Sequence, residues 1–334
     1  MTHVLAVRLD NAGDVLLAGP AIRALAAGAD RVTLLCGPRG SRAAALMPGV
    51  DEVVCWRAPW IDPEPEPVRT ADVGRFVERV AALGAGTAIV FGSFHQSPLP
   101  TALLLRLAGV RWIGATSVDY AGTLLDLRHR IDDDVHEVER SLGLVRAAGF
   151  ELPVGDAGEL RVTGVVRSRP AGDYVVVHPG ASVPARAWPP QRCAELVEAL
   201  LAAGRDVVVT GGNGERELTA FVAAPGAEDL GGETDFAGLA CVIAGADAVV
   251  VGNTGPAHLA AAVGTPVVSL YAPTVPAVRW RPWMVPHELL QIDVPCAGCR
   301  ARACPVTGHP CLAGIEAADV LAAVERLAPA GVAA

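Results

Sequence analysis

Val250-Val251-Gly252-Asn253-Thr254-Gly255-Pro256-Ala257-His258-Leu259-Ala260 is the stretch on which the fold turns. The apolar run Ala248–Val251 has no polar alternation, which is how a strand buried on both faces of a parallel sheet reads. It breaks at Gly252 and resumes with helical spacing over Pro256–Val263, with Pro256 near the position where a first helical turn accepts proline. Strand, glycine-bearing loop and helix make half of a βαβ unit. The N–H groups at such a helix start suit a diphosphate. His258 lies within the first turn or so, and it reads either as facing that anion or as packing.

The same grammar extends in both directions. Upstream in the second half, Tyr174–His178 and Asp206–Thr210 read as strands. Gln191–Ala203, Glu215–Val222 and Phe236–Ala244 read as helices. Downstream, Val267–Tyr271 is a strand and Ile315–Leu327 a closing amphipathic helix. The first half shows strands at Val4–Leu9, Val32–Cys36, Glu52–Cys55 and Thr87–Phe91. Helical patterns occupy Val15–Ala27, Thr70–Leu83, Pro98–Ala108 and Val135–Ala148. Strands alternating with helices predict parallel sheets. Pro59–Pro67 is an exposed loop, and Leu152–Asp173 loses periodicity and marks the junction. The chain therefore divides into residues 1–160 and 161–334, two Rossmann-like α/β domains expected to face across a cleft. Ligands are expected beyond the carboxyl ends of the strands.

Composition bounds the function. The 334 residues suffice for two cores of ordinary size. Apolar residues make 51% and charged residues 19%, a globular balance. All 27 basic residues are arginine, which reads as coding bias in a GC-rich genome. A net charge of −9 leaves no basic footprint for nucleic acid. Mean hydropathy is high at +0.38, yet no apolar run approaches the roughly 20 residues of a membrane span. With no leader pattern at Met1–Leu9, the cytoplasm is the expected compartment.

Four post-strand loops carry candidate chemistry. In Asp10-Asn11-Ala12-Gly13-Asp14, Asp14 reads either as the helix N-cap or as a base for an acceptor hydroxyl. The loop lacks the dinucleotide G-x-G-x-x-G pattern. His178-Pro179-Gly180-Ala181-Ser182 offers backbone N–H groups to phosphate oxygens. Arg186 beyond it reads as a phosphate clamp or as a surface arginine beside a packed Trp188. In Gly211-Gly212-Asn213-Gly214-Glu215, Glu215 accepts from ribose hydroxyls or simply favours its helix start. The fourth loop is the Asn253–His258 segment.

The order and spacing of these loops resemble glycosyltransferase family 9, the bacterial ADP-heptose heptosyltransferases. The likeness rests on Gly13-Asp14, on Pro179-Gly180-Ala181-Ser182 leading to Trp188-Pro189, and on Thr254 to Ala260. It runs from Val4 to about Leu327. It implies a GT-B fold with an N-terminal acceptor domain and a C-terminal donor domain, and metal-independent inverting transfer from an ADP-sugar with no cofactor. Asp14 stands where the family's proposed base stands. Arg186 replaces the usual lysine at the donor phosphates, and Ser182, Thr254, Gly255 and His258 match the phosphate-binding positions. Asn11, Gly13, Glu215 and Asn253 complete the donor-side candidates. Asn253 departs from the family's usual aspartate, so a charge-dependent role there is lost.

Cys296, Cys299, Cys304 and Cys311 form C-x2-C-x4-C-x6-C. The opening pair is zinc-like, but the whole matches no common finger. Structural thiols are expected, with zinc, an iron–sulfur cluster or a redox switch as alternatives. Cys36, Cys55, Cys193 and Cys241 read as core packing.

The segment Asp51–Arg79 carries seven acidic residues and four arginines, and Asp132–Asp134 adds another acidic run. These disfavour a polyanionic acceptor, so the expected acceptor is a small neutral or cationic molecule. The alternatives are a lipopolysaccharide inner core, a GT-B-fold nucleotide-sugar epimerase or hydrolase, and a non-catalytic metal-binding protein. Peripheral membrane contact is expected only with a lipid acceptor. Oligomeric state is open.

Overall fold

The computed structural model describes residues 2–131, 134–167 and 174–329. Asp132 and Asp133 of the second acidic run, and residues 168–173 of the expected junction, lie outside them. The chain forms two units, Met1–Thr163 and Gly164–Ala334.

The first unit holds one parallel sheet of β1 (His3–Arg8), β2 (Arg31–Cys36), β3 (Glu52–Cys55), β4 (Thr87–Val90), β5 (Trp112–Thr116) and β6 (Leu127–His129). Their order is β3-β2-β1-β4-β5-β6. Val4 pairs with Val32 on one side and with Thr87 on the other, so β1 is central. Its residues Val4 to Val7 are fully buried, as an apolar strand covered on both faces must be. One core joins Leu5 and Val7 to Phe76 and Val80 of helix Thr70–Leu83 and to Ala102 and Leu105 of helix Leu99–Leu107. On the other face, helix Glu137–Ala147 packs against helix Gly19–Gly28.

The predicted helix Val15–Ala27 is two helices, Ala12–Leu17 and Gly19–Gly28. The break falls at Ala18, just before Gly19-Pro20, where proline cannot supply an N–H to the preceding turn. The segment after helix Glu137–Ala147 folds back onto this unit. There Arg23 donates to both carboxylate oxygens of Asp156, at 2.6 and 2.8 Å, and Thr163 N–H donates to the Leu46 carbonyl.

The second unit repeats the topology. Its strands are β7 (Tyr174–His178), β8 (Asp206–Gly211), β9 (Glu228–Gly231), β10 (Ala248–Gly252), β11 (Val267–Leu270) and β12 (His287–Leu290). The order β12-β11-β10-β7-β8-β9 is that of the first sheet with its own first strand again central. The core combines Val175, Val177 and Val250 with Trp188, with Leu196 of helix Pro190–Ala202, and with Val320 and Val324 of helix Ala317–Leu327. In each sheet the chain reverses its direction of growth beside the first strand, β1 beside β4 and β7 beside β10. Open parallel sheets bind ligands at such switch points.

Among the described residues, no helix is long and apolar enough to cross a membrane.

Candidate functional site

At the switch point of the first sheet, the loop after β1 meets the loop after β4. Asn11, exposed, holds the N-cap position of helix Ala12–Leu17 without a side-chain capping bond, so Asp14 is that helix's third residue and not its cap. The carboxylate of Asp14 turns instead to Arg8, whose Nη2 donates to Oδ1 at 3.0 Å. The same Nη2 donates to Ser93 Oγ at 3.0 Å, and Ser93 Oγ donates to Asp10 Oδ2 at 3.0 Å. Asp10 Oδ1 lies 3.4 Å from Arg8 Nε. Glu137, at the start of its helix, brings Oε2 to 3.7 Å from Arg8 Nη2.

Three carboxylates thus surround one guanidinium. The side chain of Arg8 is 2% exposed, Asp10 6% and Glu137 1%, whereas Asp14 is 18% exposed. Burial pushes the Glu137 carboxyl up, opposed chiefly by Arg8 and Arg140, and pushes Asp10 up, opposed by Arg8. Gly13 is buried beneath the turn. Arg8, Ser93 and Glu137 were not marked by the sequence motifs. A charged residue ending the apolar run VLAVR is a usable signal for Arg8. Glu137 carries none, since a single acid at a helix start ordinarily faces water.

In the second unit the loops after β7, β8 and β10 carry the remaining candidates. Glu215 ends a short turn before helix Arg216–Ala223. Its Oε2 accepts from Gly212 N–H at 2.7 Å, and a Cβ on Gly180 would stand 2.1 Å from its Oε1. The Glu215 carboxylate therefore lies over the Pro-Gly loop, which glycine alone permits. Beside it His178, buried and bonded to Thr210, has its ring pushed down by burial, opposed by Glu215. Ser182 is exposed on the same loop.

Arg186, at the end of the turn Pro184–Arg186, is half-buried, and its buried Nε has no hydrogen-bond partner. The Arg186 carbonyl would lie 2.7 Å from a Cβ on Gly252, so the loops after β7 and β10 touch only because residue 252 is glycine. Its guanidinium is felt at Tyr271, whose phenol is pushed up by burial and drawn down by Arg186. Trp188 is buried in the core, and its Nε1 donates to the Ile315 carbonyl.

Thr254 caps helix Gly255–Val263 with extended backbone, but its hydroxyl makes no capping bond. The helix start is left for another acceptor. Pro256 is its second residue, and His258, its fourth, is buried. Asn253 is buried too, bonded through its amide to the backbone of Ala272.

Cys296, Cys299, Cys304 and Cys311 line one small cavity with His309, Ala185 and Thr274. All are free thiols. Among the described residues, no group of three or more His, Cys, Asp or Glu is arranged to hold a metal ion. Cys36 and Cys193 are buried as expected, while Cys55 and Cys241 are only half-buried.

Residues 95–309, more than half of the chain, match the family described as glycosyltransferase family 9 (heptosyltransferase). Lipopolysaccharide heptosyltransferase 3 of Escherichia coli is 31% identical over 169 residues, which are 47% of this chain and 47% of that protein. The chain thus aligns with about half the length of this curated relative. A glycosyl transferase family 9 structure from Veillonella parvula superposes with a TM-score of 0.80 at 17% identity, covering 98% of this chain and 97% of the other. The E. coli heptosyltransferase WaaC with ADP-2-deoxy-2-fluoro heptose superposes with a TM-score of 0.74 at 22% identity, covering 98% and 100%. At these identities the two structures speak to the fold.

Proposed function

The chain belongs to glycosyltransferase family 9, and from that premise we propose that it transfers a heptose or related sugar from an ADP-sugar to an acceptor hydroxyl, inverting the anomeric carbon without a metal or other cofactor. In this reading the N-terminal domain (1–160) binds the acceptor and the C-terminal domain (161–334) the donor.

One observation carries the reading. Of the three carboxylates around Arg8, Asp14 is the one with substantial solvent exposure, so it alone meets an incoming hydroxyl. Asp14 removes the hydroxyl proton, the freed oxygen bonds to the anomeric carbon, and the bond from that carbon to the diphosphate oxygen breaks with its electron pair. Negative charge then grows on the leaving diphosphate. Arg186 and the start of helix Gly255–Val263, with Thr254, Gly255 and His258, meet that charge in place of a metal. An unpartnered Nε on Arg186 suits an anionic guest. Glu215 repels phosphate and accepts from hydroxyls, so it serves the ribose. Ser182, exposed, adds a hydroxyl donor for the phosphates, while Asn11 and Gly13 are the donor-side candidates of the Asp14 turn.

For the acceptor we favour a small neutral or cationic molecule. Residues 63–69 of the loop after β3 are exposed and carry Glu64, 77% exposed and paired with Arg39, and Glu66 against Arg69, which gives a polyanion little to bind. A lipopolysaccharide inner core is the second reading, favoured by the 31% identity to a lipopolysaccharide heptosyltransferase.

Calorimetry with ADP and UDP on wild type and Asp14→Ala tests the donor assignment. ADP is expected to bind more tightly than UDP to both proteins, with transfer abolished only in the variant. If neither nucleotide binds, the reading fails. Transfer assays then separate the acceptors: turnover of a Kdo-lipid acceptor with none of neutral or cationic ones overturns the first choice.

A further inference from the structure

The charge cluster behind Asp14 is larger than a proton-accepting carboxylate requires, and its parts come from four separate pieces of the first unit. Arg8 ends β1, Asp10 follows it, and Asp14 lies on helix Ala12–Leu17. Ser93 and Gln96 belong to the loop after β4. Ser93 N–H donates to Gln96 Oε1, and the Gln96 side chain also reaches Asp10. Glu137 and Arg140 come from helix Glu137–Ala147, capped by His136 through Nδ1 accepting from Val138 N–H. Charges on Arg8, Arg140, Asp10 and Asp14 all act on Glu137.

Glu137 is the odd member. It is 1% exposed, and neither of its carboxylate oxygens has a hydrogen-bond partner. Its interactions are charge alone, with Oε2 3.7 Å from the Arg8 nitrogen that also holds Asp14. Keeping a carboxylate in such a place, without hydrogen bonds, is unfavourable for stability. It is placed, however, within 3.7 Å of the same guanidinium nitrogen that holds Asp14.

We propose that Arg8 is a positioning residue for transfer, aiming the Asp14 carboxylate at the acceptor hydroxyl, and that Glu137 competes with Asp14 for the same guanidinium and thereby tunes the strength of the base. With Glu137 ionised, Arg8 is shared and Asp14 accepts a proton more readily. With Glu137 neutral, Arg8 serves Asp14 more fully and Asp14 becomes a weaker base. Asp10, Asp14 and Glu137 share one cation, so a change of charge at one is felt at the others.

This inference rests on the reading of Asp14 as the base, and its test separates the two. The pH dependence of kcat/KM for transfer is measured on the full chain for wild type, Arg8→Lys, Arg8→Gln, Glu137→Gln and Asp14→Asn. Losing the Arg8 charge moves the acid limb up by roughly one pH unit. Misaiming the carboxylate lowers kcat by about 10- to 100-fold, with the donor KM unchanged. Arg8→Lys restores the limb but not the full kcat, since an ammonium keeps the charge and loses the fork. Glu137→Gln acts in the opposite sense, moving the limb down by roughly half a unit and narrowing it towards a single ionisation.

A merely structural role for these residues lowers activity without moving the limb in opposite directions. Should Arg8→Gln fail to fold, Arg8→Lys and Glu137→Gln carry the test alone. Asp14→Asn with near-normal transfer overturns the base assignment itself. Loss of transfer in Asp14→Asn, with the acid limb fixed in position and width in the Arg8 and Glu137 variants, leaves the base and overturns the inference.

Discussion

The side-chain amide of Asn253 is paired in both directions with the backbone of Ala272: Nδ2 donates to the carbonyl at 3.3 Å, and Oδ1 accepts from the N–H at 3.3 Å. Asn253 follows β10 and Ala272 follows β11, so this pair ties the two loops together where the strands end. A carboxylate accepts from the N–H but has nothing to donate to the carbonyl. The departure from the family's usual aspartate therefore has a structural account in this chain.

Asn253→Asp is the direct test. It sets a buried carboxylate against a carbonyl oxygen and orphans one half of the pair. The expected loss is about 1–3 kcal/mol of stability, the usual consequence of an unsatisfied buried polar group. Thermal unfolding at neutral pH reads it, and ADP titration should show weaker binding because Thr254 and Gly255 follow immediately. An unchanged melting temperature would sink this account of the amide.

Gly252→Ala tests the contact between the loops after β7 and β10. The added methyl meets the Arg186 carbonyl at 2.7 Å, and a backbone oxygen cannot rotate away as a side chain does. The loop must shift, at about 1–3 kcal/mol, and Arg186 shifts with it. ADP affinity is expected to fall by roughly tenfold, as for the loss of one charge-assisted contact. Gly74→Ala, where the added carbon meets nothing within 4 Å, is the control and should bind ADP as wild type does.

Most interior strands were legible because VLAV, YVVV and AVVV are apolar without alternation, but Trp112–Thr116, WIGAT, lies inside the first sheet and was not read as a strand. Of the edge strands, Glu52–Cys55 was legible and the other three were not. Glu228–Gly231 reads EDLG and Leu127–His129 is three residues long, so only pairing with a neighbour makes either a strand. Of the site, Asp14, Arg186 and the Thr254 loop lay in post-strand positions that the alternating pattern marks. Glu137 lies 123 positions from Asp14 in the chain, and its facing is decided by how its helix packs, which no local spacing encodes. Asp14 itself was half-legible: its spacing fits an N-cap, a role that falls to Asn11.

Acid stability of the first unit should depend on Asp156. Hydrogen bonds from Arg23 foremost, against the opposing effect of burial, hold this carboxyl down at about 2. A depressed carboxyl contributes stability that is present above its ordinary pKa and lost as pH falls through the depressed one. Asp156→Asn should thus cost on the order of 2 kcal/mol near neutral pH, with the difference from wild type fading between about pH 4 and 2. Glu137 and Asp10, pushed up by burial, work in the opposite direction, their contribution being lost as pH rises. Urea unfolding across pH 2–7 resolves the two senses. A difference that persists undiminished to pH 2 would exclude the linkage.

The cysteine run is expected to act through Arg186 by packing and not through a metal. Arg302 accepts at its carbonyl from Ala185 N–H at 3.0 Å, and His309 Nε2 donates to the Ala185 carbonyl at 3.1 Å, so the segment grips the residue before Arg186 from both sides. His309 adopts a left-handed backbone (φ 48°), a conformation unfavourable for a side chain with a Cβ and held here by its surroundings. Cys311 is buried, and its thiol is pushed up by burial first and by the neighbouring cysteines next, which keeps it protonated and unreactive. His309→Ala should therefore loosen the Arg186 turn and weaken ADP binding by roughly three- to tenfold, as the loss of one hydrogen bond of about 1 kcal/mol does. Prior treatment with a strong chelator should leave ADP affinity and transfer rate where they were. Loss of both on chelation, with recovery on adding zinc or iron, would instead make the four cysteines a metal site.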